Sequence, residues 1–183
     1  FDGHDFIEEA KIRGAVAAIV SKKIKTALPT IFTNDTRLAL GKIAKKWREQ
    51  YTLPIIAITG SCGKTTTKAL IANILQQAGN TLSTEGNLNN EIGLPLTILK
   101  LTEKQQYAIL ELGANHPGEI CYLTQIAKPT VSLITNAGAA HLEGFGSIEG
   151  VARAKSEIYA GLDETGIAIL NADDVYTDFW KTV

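Results

Sequence analysis

A loop that could bind phosphate groups is formed by seven consecutive residues, Gly60-Ser61-Cys62-Gly63-Lys64-Thr65-Thr66. Glycine lets backbone N–H groups curl around an anion, and a helix that starts directly after the loop adds N–H donors and the positive end of its dipole. Lys64 would reach the β- and γ-phosphates, and the hydroxyl of Thr65 would bind Mg²⁺. The pattern therefore predicts a nucleotide-binding loop over residues 60–66.

The match is to a shortened form of the phosphate-loop pattern. The full pattern has a glycine at position 58, where this chain has Ile58. A chance glycine turn before a helix is the plain alternative. The flanks favour the phosphate loop, because residues 55–58 are a short apolar run typical of a buried strand, and a helical pattern follows the loop and ends at Gly79. The apolar residues of that helical pattern are Leu70, Ile71, Ile74, Leu75 and Ala78.

Strand-like and helix-like segments alternate along the chain. The predicted strands are 15–20, 29–33, 55–58, 81–84, 107–112, 131–135 and 166–170. Six helices are predicted. The first follows a loop within 1–13, the second begins after residues 34–36, the third follows the phosphate loop, the fourth begins near residue 95, the fifth covers 117–127, and the sixth starts after Ser147. This alternation predicts an α/β fold with a doubly wound parallel sheet and helices on both faces. In such sheets ligands bind beyond the carboxyl ends of the strands.

Three further polar residues deserve a chemical interpretation. Glu111 lies near the end of an apolar strand, where an unpaired acid would be costly, so a metal ion on nucleotide phosphates would satisfy it. A capping or surface carboxylate is the alternative. From its type and position alone, His141 could equally be a loop histidine that bonds backbone, and Lys155 could be a solvated helix lysine.

An asparagine-rich loop follows the strand predicted at 81–84. Asn87, Asn89 and Asn90 suit a turn, since asparagine tolerates the left-handed conformation. Three amides between Glu85 and Glu91 would equally suit a sugar, amide or peptide ligand. The residue types leave both interpretations open.

Composition limits the class of protein. The net charge is −1 over 183 residues, which indicates no nucleic-acid or membrane surface. No apolar run approaches the roughly 20 residues that cross a bilayer. The two cysteines, Cys62 and Cys121, argue against a disulfide framework and for a reducing cytoplasm. The chain has no methionine and begins FDGHDF, so we expect it to be a fragment.

Taken together, several segments resemble the Mur ligases, the ATP-dependent amide-forming enzymes of peptidoglycan synthesis. The segments are ITGSCGKTTTK, STEGNLNNEIGLPLTIL, AILELGANHPGEI, TNAGAAHLEGFGSIEGVARAKSEIY and GIAILNADD, with FDGHDFIEEA and NDTRLALG at the front. The similarity is strongest to the branch that adds D-alanyl-D-alanine to UDP-N-acetylmuramoyl-tripeptide. The resemblance therefore implies these two substrates, together with ATP and Mg²⁺, in a cytoplasmic monomer.

The resemblance also implies a division of the chain. Family members have an N-terminal UDP-sugar domain, a central ATPase of the P-loop type and a C-terminal domain that closes over the nucleotide. By similarity, residues 1–51 are the tail of the first α/β domain, residues 52–183 are an incomplete second domain, and the third is absent. We therefore expect this fragment alone to be inactive.

Individual roles carry over by position. Residues 60–66 match the family's ATP loop, with Lys64 on the phosphates and Thr65 on Mg²⁺, and Glu111 and His141 match metal ligands. Lys155 matches a lysine that the family carbamylates, which would make it a metal ligand. Thr84, Asn87, Asn89 and Asn90 fall where the family touches its muramoyl-peptide substrate. The implied catalytic residues are Lys64, His141 and Lys155.

Other functions remain compatible with the motifs. One is another ligase of the superfamily, either a different Mur step or folylpolyglutamate synthase, although the asparagine-rich loop argues against the folate branch. A small P-loop switch or kinase is a second, but neither an N-K-x-D nor a D-x-x-G motif follows the loop. A nucleotide-binding module without chemistry is a third.

Overall fold

The computed structural model describes residues 2–183, and Phe1, the first residue of the predicted N-terminal loop, lies outside them. The strands are β1 (Ala18–Val20), β2 (Thr30–Phe32), β3 (Ile55–Thr59), β4 (Thr81–Ser83), β5 (Tyr107–Glu111), β6 (Val131–Ile134) and β7 (Ile167–Ile169). The helices are α1 (Ile7–Ile12), α2 (Thr36–Arg48), α3 (Lys64–Ala78), α4 (Gly93–Ile98), α5 (Glu119–Ala127), α6 (Leu142–Phe145), α7 (Ile148–Ser156) and α8 (Thr177–Trp180). In this part of the chain, no helix is long and apolar enough to cross a membrane.

A parallel sheet of five strands forms the centre of the fold, in the order β4-β5-β3-β6-β7. The predicted parallel α/β architecture is confirmed. Strand β3 lies in the middle, and Ile58 pairs with Glu111 on one side and with Leu133 on the other. Glu111 is therefore level with the end of β3, where the phosphate loop begins.

Helices cover both faces of this sheet, as a doubly wound fold requires. On one face the sheet packs against α2, α4, α5 and α8. The buried residues on this side include Ala44, Ile55, Ala57, Leu94, Ile98, Leu110, Leu123 and Trp180. On the other face Ile58 and Ile109 pack against Ala72 of α3, with Ile71 and Leu75 partly buried beside them.

The inward face of α3 differs from the predicted one. Leu70 and Ile74 are 61% and 68% exposed, although they fit the apolar pattern. The stripe that meets the sheet is instead formed by Lys68, Ile71, Ala72 and Leu75. These four follow the spacing i, i+3, i+4, i+7 of one helix face. An apolar pattern does not identify this stripe, because one of its four residues, Lys68, is charged.

The segment before the phosphate strand is joined to the central sheet by α2. The carboxylate of Asp35 accepts hydrogen bonds from the backbone N–H groups of Arg37 and Leu38 at 2.7 and 3.0 Å, which caps the start of α2. Near its end, Trp47 donates its indole N–H to the carbonyl of Leu101 at 3.0 Å. The division of the chain between residues 51 and 52 stays a prediction.

Arg48 ties the end of α2 to the loop after α5. Its guanidinium is buried and donates to the carbonyls of Ala127, Tyr51 and Lys128 at 2.9, 2.5 and 2.9 Å. We expect Arg48→Met to lower the free energy of unfolding by about 3 kcal/mol, because the apolar replacement leaves buried carbonyls without donors. Urea denaturation followed by tryptophan fluorescence measures the change.

The matched control for Arg48 is Arg13→Met, which changes an exposed arginine that follows α1 and pairs with Glu9. We expect this control to leave the free energy of unfolding nearly unchanged. Equal stability of the two variants would show that the bonds of Arg48 contribute nothing net to the fold.

Candidate active site

The loop between β3 and α3 depends on glycine at two positions. Gly60 has φ +152°, and a Cβ atom there would lie 1.8 Å from the hydroxyl oxygen of Thr135. Gly63 has φ +79°, a left-handed conformation that lets the chain turn into the first residue of α3. Glycine is therefore required at position 60 because the loop passes close to Thr135 after β6, and at position 63 because the chain turns sharply into α3.

The loop is held in place by the residues that follow β6. The backbone N–H groups of Ser61 and Cys62 donate to the backbone and side-chain oxygens of Asn136, both at 3.0 Å. Thr135 donates its hydroxyl to the carbonyl of Cys62 at 2.7 Å, and Gly138 donates its N–H to the hydroxyl of Ser61 at 2.9 Å. The conformation of the loop is thus fixed by a neighbouring strand as well as by its own residues.

Lys64 starts α3 and bends back over the loop, where its ammonium donates to the carbonyl of Gly60 at 2.7 Å. It also lines a cavity of about 400 Å³ at the carboxyl edge of the sheet. The cavity is lined, among others, by Lys64, Asn87, Asn89, Asn90, His141 and Lys155. Six residues singled out from separate parts of the sequence therefore surround one space.

Glu111 is buried, and each of its oxygens has a partner. Oε2 accepts from the hydroxyl of Thr65 at 3.0 Å, and Oε1 accepts from the amide of Asn89 at 2.9 Å. The ammonium of Lys68 lies 3.5 Å from Oε2 and donates to the carbonyl of Thr84 at 2.7 Å. This network joins the start of α3, the asparagine loop and β5 at one carboxylate.

Lys155 lies in α7 with only 4% of its surface exposed. Burial, together with the charge of nearby Lys64, lowers its pKa to about 8, while Cys62 acts in the opposite direction. A substantial fraction of the amine is therefore neutral near physiological pH. A neutral lysine amine is a nucleophile, whereas a solvated surface lysine is almost fully protonated near neutral pH and is not.

His141 caps the short helix α6 with φ 53°, a left-handed conformation. Left-handed backbone is uncommon for residues other than glycine, and it concentrates at functional sites. Here it places His141 on the wall of the same cavity as Lys64 and Lys155.

A family model for the Mur ligase middle domain matches residues 58–183. The chain belongs to the Mur ligase family. The match begins in β3 and includes the phosphate loop, Glu111, His141 and Lys155.

Three relatives show how much of a Mur ligase this chain represents. UDP-N-acetylmuramoyl-tripeptide–D-alanyl-D-alanine ligase of Escherichia coli strain K12 is 51% identical over 183 residues, which is 100% of this chain and 40% of that protein. The structure of UDP-N-acetylmuramoylalanyl-D-glutamyl-2,6-diaminopimelate–D-alanyl-D-alanyl ligase from Acinetobacter baumannii is 44% identical, with a TM-score of 0.92 over 100% of this chain and 40% of that one. The MurF ligase from Thermotoga maritima in complex with ADP is 38% identical, with a TM-score of 0.87 over 94% of this chain and 40% of that one. The chain thus spans about 40% of the length of these relatives.

The residues of this Mur ligase chain fit a metal ion that is coordinated partly by the protein and partly by the phosphates of a bound nucleotide. Within residues 2–183, no three His, Cys, Asp or Glu side chains come together as a metal site. Mg²⁺ at nucleotide sites is commonly held by one or two protein oxygens, phosphate oxygens and waters. Thr65 and Glu111 supply such oxygens 3.0 Å apart beside the phosphate loop.

Among the predicted substrate residues, the structure separates Thr84 from the others. Thr84 is buried, its hydroxyl accepts the N–H of Glu111 at 3.0 Å, and it does not line the cavity. The side-chain oxygen of Asn90 accepts the backbone N–H groups of Ile92 and Gly93 at 3.2 and 2.9 Å, a contact of the kind that the turn interpretation describes, although Asn90 also lines the cavity. The side-chain amide of Asn89 donates to the carboxylate of Glu111, and Asn87 lines the cavity.

Sequence reasoning missed several residues of this Mur ligase site. Lys68 supports Glu111, Asn136 holds the phosphate loop, and Asn115, His116 and Glu119 line the cavity. The last three follow β5 in the segment ELGANHPGEI, so their place after a strand end was a usable signal. The spacing of Lys68 places it on the inward face of α3 but does not mark it as a site residue, and nothing in the sequence marks Asn136.

Glu111→Gln tests the metal assignment. We expect it to weaken ADP binding in the presence of Mg²⁺ by about tenfold or more and to change Mg²⁺-free binding little, because an amide keeps the shape but lacks the charge that a hard divalent ion prefers. Isothermal titration with ADP, with Mg²⁺ and with EDTA, measures both affinities. Equal losses under both conditions would assign Glu111 a purely structural role. Glu149→Gln, on the exposed side of α7, is the control.

Proposed function

We propose that this chain is part of an ATP-dependent ligase that joins D-alanyl-D-alanine to UDP-N-acetylmuramoyl-tripeptide in peptidoglycan synthesis. The observation that carries the proposal is the meeting of Lys64, His141 and a buried Lys155 at one cavity beside the phosphate loop. Relatives that bear this activity in their names match the chain from end to end, and one was crystallised with ADP.

The proposed reaction has two steps. The terminal carboxylate of the tripeptide attacks the γ-phosphorus of ATP, and ADP leaves with the electrons of the broken P–O bond. The amine of D-alanyl-D-alanine then attacks the carbonyl of the resulting acyl phosphate, loses a proton, and inorganic phosphate leaves from the tetrahedral intermediate. The protein contributes mainly by positioning the reactants and stabilising negative charge.

The chain's own groups divide these tasks. The N–H groups of residues 60–66 and the start of α3 bind the phosphates, and the ammonium of Lys64 stabilises the charge that develops on the transferred group. Thr65 and Glu111 would hold one Mg²⁺ ion, and His141 and a carbamylated Lys155 would hold a second. Bound Mg²⁺ supplies charge neutralisation at the phosphate and carboxylate oxygens. Asn87, which lines the cavity, would contact the muramoyl-peptide.

The proposal includes a location and a set of partners. A cytoplasmic monomer is consistent with two free thiols, Cys62 and Cys121, in the structure and with a reaction that consumes ATP. The near-zero net charge supports small-molecule substrates in place of nucleic acid or a membrane surface.

The test uses the intact protein with ATP, UDP-N-acetylmuramoyl-tripeptide and a panel of amine donors. We expect D-alanyl-D-alanine to give a ligated product by mass spectrometry and one phosphate per product. A product with D-alanyl-D-alanine absent and another amino acid present would point to a different ligase of the superfamily. If the protein binds Mg-ATP but releases no phosphate under any condition, the remaining interpretation is a nucleotide-binding module without catalytic activity.

A further inference from the structure

A buried lysine, Lys68, lies beside the carboxylate that would bind the metal ion. Only 6% of Lys68 and 3% of Glu111 is exposed. The ammonium of Lys68 lies 3.5 Å from Oε2 of Glu111, the same oxygen that accepts the hydroxyl of Thr65 at 3.0 Å. A positive charge is therefore fixed next to the group that is expected to bind a cation.

The position of Lys68 is set by contacts with two strands. Its ammonium donates to the carbonyl of Thr84, directly after β4, at 2.7 Å. The hydroxyl of Thr84 in turn accepts the backbone N–H of Glu111 at 3.0 Å. Thr84 thus holds both the lysine and the strand that carries the carboxylate. An exposed lysine could turn away into solvent when a cation arrives, whereas Lys68 is enclosed.

The charge of Lys68 offsets the negative charge at the phosphate loop. Within residues 2–183, Glu111 is the only carboxylate that forms a hydrogen bond or an ion pair with residues 60–68. Glu91 and Glu119 line the adjoining cavity but form no such contact with these residues. The pair of Glu111 and Lys68 carries no net charge, so this corner of the site offers a divalent ion little attraction before phosphates are bound.

We propose that Lys68 lowers the affinity of Glu111 for a divalent ion, so that Mg²⁺ binds together with the phosphates of a nucleotide and leaves with them. The inference rests on the nucleotide and metal binding of the proposed function and not on the ligation step. A nucleotide brings several negative charges, which outweigh the single charge of Lys68. Lys68 is a positioning residue, because it acts through Glu111 and does not touch the reacting atoms.

A purely structural role for Lys68 makes the opposite prediction for metal binding. If the lysine only satisfied the carbonyl of Thr84 and the carboxylate of Glu111, its replacement would loosen the site and weaken metal binding. If its charge opposes the metal ion, removal of the charge strengthens metal binding. A gain in affinity therefore separates the electrostatic role from damage to the fold.

The experiment measures binding of Mn²⁺, a paramagnetic substitute for Mg²⁺, to the intact protein by electron paramagnetic resonance, with and without ADP. Lys68→Gln removes the charge and keeps an N–H donor for the carbonyl of Thr84. We expect this variant to bind Mn²⁺ about tenfold more tightly or better in the absence of nucleotide. Even at an effective dielectric constant of about 20, the repulsion between two close charges exceeds one tenfold step in affinity.

Three further variants assign the gain to this carboxylate. In the double variant Lys68→Gln/Glu111→Gln the gain should vanish, which excludes binding elsewhere on the surface. Lys68→Met removes the donor as well as the charge, so it should show the gain in Mn²⁺ affinity together with a lower free energy of unfolding in urea. Lys181→Gln changes an exposed lysine that pairs with Asp178 and should bind Mn²⁺ like the unmodified protein.

The outcomes separate this inference from the proposed function. Equal or weaker Mn²⁺ binding by a folded Lys68→Gln, with ADP binding and ligation intact, would reject the role of Lys68 alone. If neither Lys68 variant folds, nucleotide-free Mn²⁺ binding that is tighter in the unmodified protein than in Glu111→Gln would reject it, and equal binding would support it. Absence of ADP binding by the unmodified protein would reject the nucleotide site, and the nucleotide-free Mn²⁺ titrations would still decide the effect of Lys68.

Discussion

Replacing Lys64 with alanine is expected to abolish ATP turnover in the intact protein while leaving its fold intact. The ammonium lies at the phosphate loop, 2.7 Å from the carbonyl of Gly60, and lines the cavity in which the acyl donor would react. Removing one such group from a site that stabilises developing charge typically costs a factor of about 10²–10³ in rate. Since the transferred phosphoryl depends mainly on electrostatic stabilisation, we expect at least this loss.

Phosphate release and product formation measure the loss, and circular dichroism checks the fold. Lys181→Ala is the control, because this exposed lysine pairs only with the neighbouring Asp178 in α8. Turnover near the normal rate in Lys64→Ala, with the control equally active, would remove Lys64 from the mechanism and the phosphate-loop assignment with it.

The second large effect concerns Lys155, which we expect to be carbamylated in the intact protein. A lysine ammonium has donors only and cannot ligate a metal, whereas a carbamate presents two anionic oxygens. Attack of the neutral amine on CO₂ forms the N–C bond and releases one proton. The structure supplies the conditions for this step, since burial and Lys64 lower the pKa of Lys155 to about 8. We expect Lys155→Ala to lose ligation far more than ATP binding.

The depressed pKa sets the pH dependence of the modification. Below pH 8 the neutral fraction of Lys155 falls about tenfold per pH unit, and above pH 8 it approaches a plateau. At constant dissolved CO₂, the carbamate signal in ¹³C NMR should therefore rise steeply with pH below about 8 and less steeply above it, because formation of the carbamate from the neutral amine releases a further proton. The signal should be absent in Lys155→Ala and retained in Lys181→Ala. No signal in the unmodified protein, with Lys155→Ala fully active, would return Lys155 to a structural role.

Much of the fold could be predicted because its signals are local. Apolar runs such as 55–58 and 107–112 mark strands that are buried on both faces, and their alternation with helical patterns gives a parallel sheet. The same pattern predicted that Glu111 lies beside the phosphate loop, and the strand register confirms this, because Glu111 pairs with Ile58 near the end of β3. The lengths of the elements were less predictable, since β7 has three residues where five were predicted.

The support of the site could not be predicted, because it consists of contacts between distant segments. Asn136 binds the loop across 74 residues, and its type alone gives no sign of this. Lys68 reads as a surface lysine, yet it is buried against Thr84 and Glu111. The lowered pKa of Lys155 likewise arises from burial in three dimensions, which a helical pattern cannot show.

The attachment of the phosphate loop to β6 has a consequence for the order of folding. Contacts of Ser61 and Cys62 with residues 135–138 span 73 to 77 residues, so they form only after the chain has closed a long loop. Non-local parallel pairing is slow compared with helix formation. The loop therefore acquires its final shape after β6 has joined β3, however early α3 forms. During refolding, nucleotide affinity should appear late, and a chain emerging from the ribosome would lack the loop's anchor until residue 138 has been added.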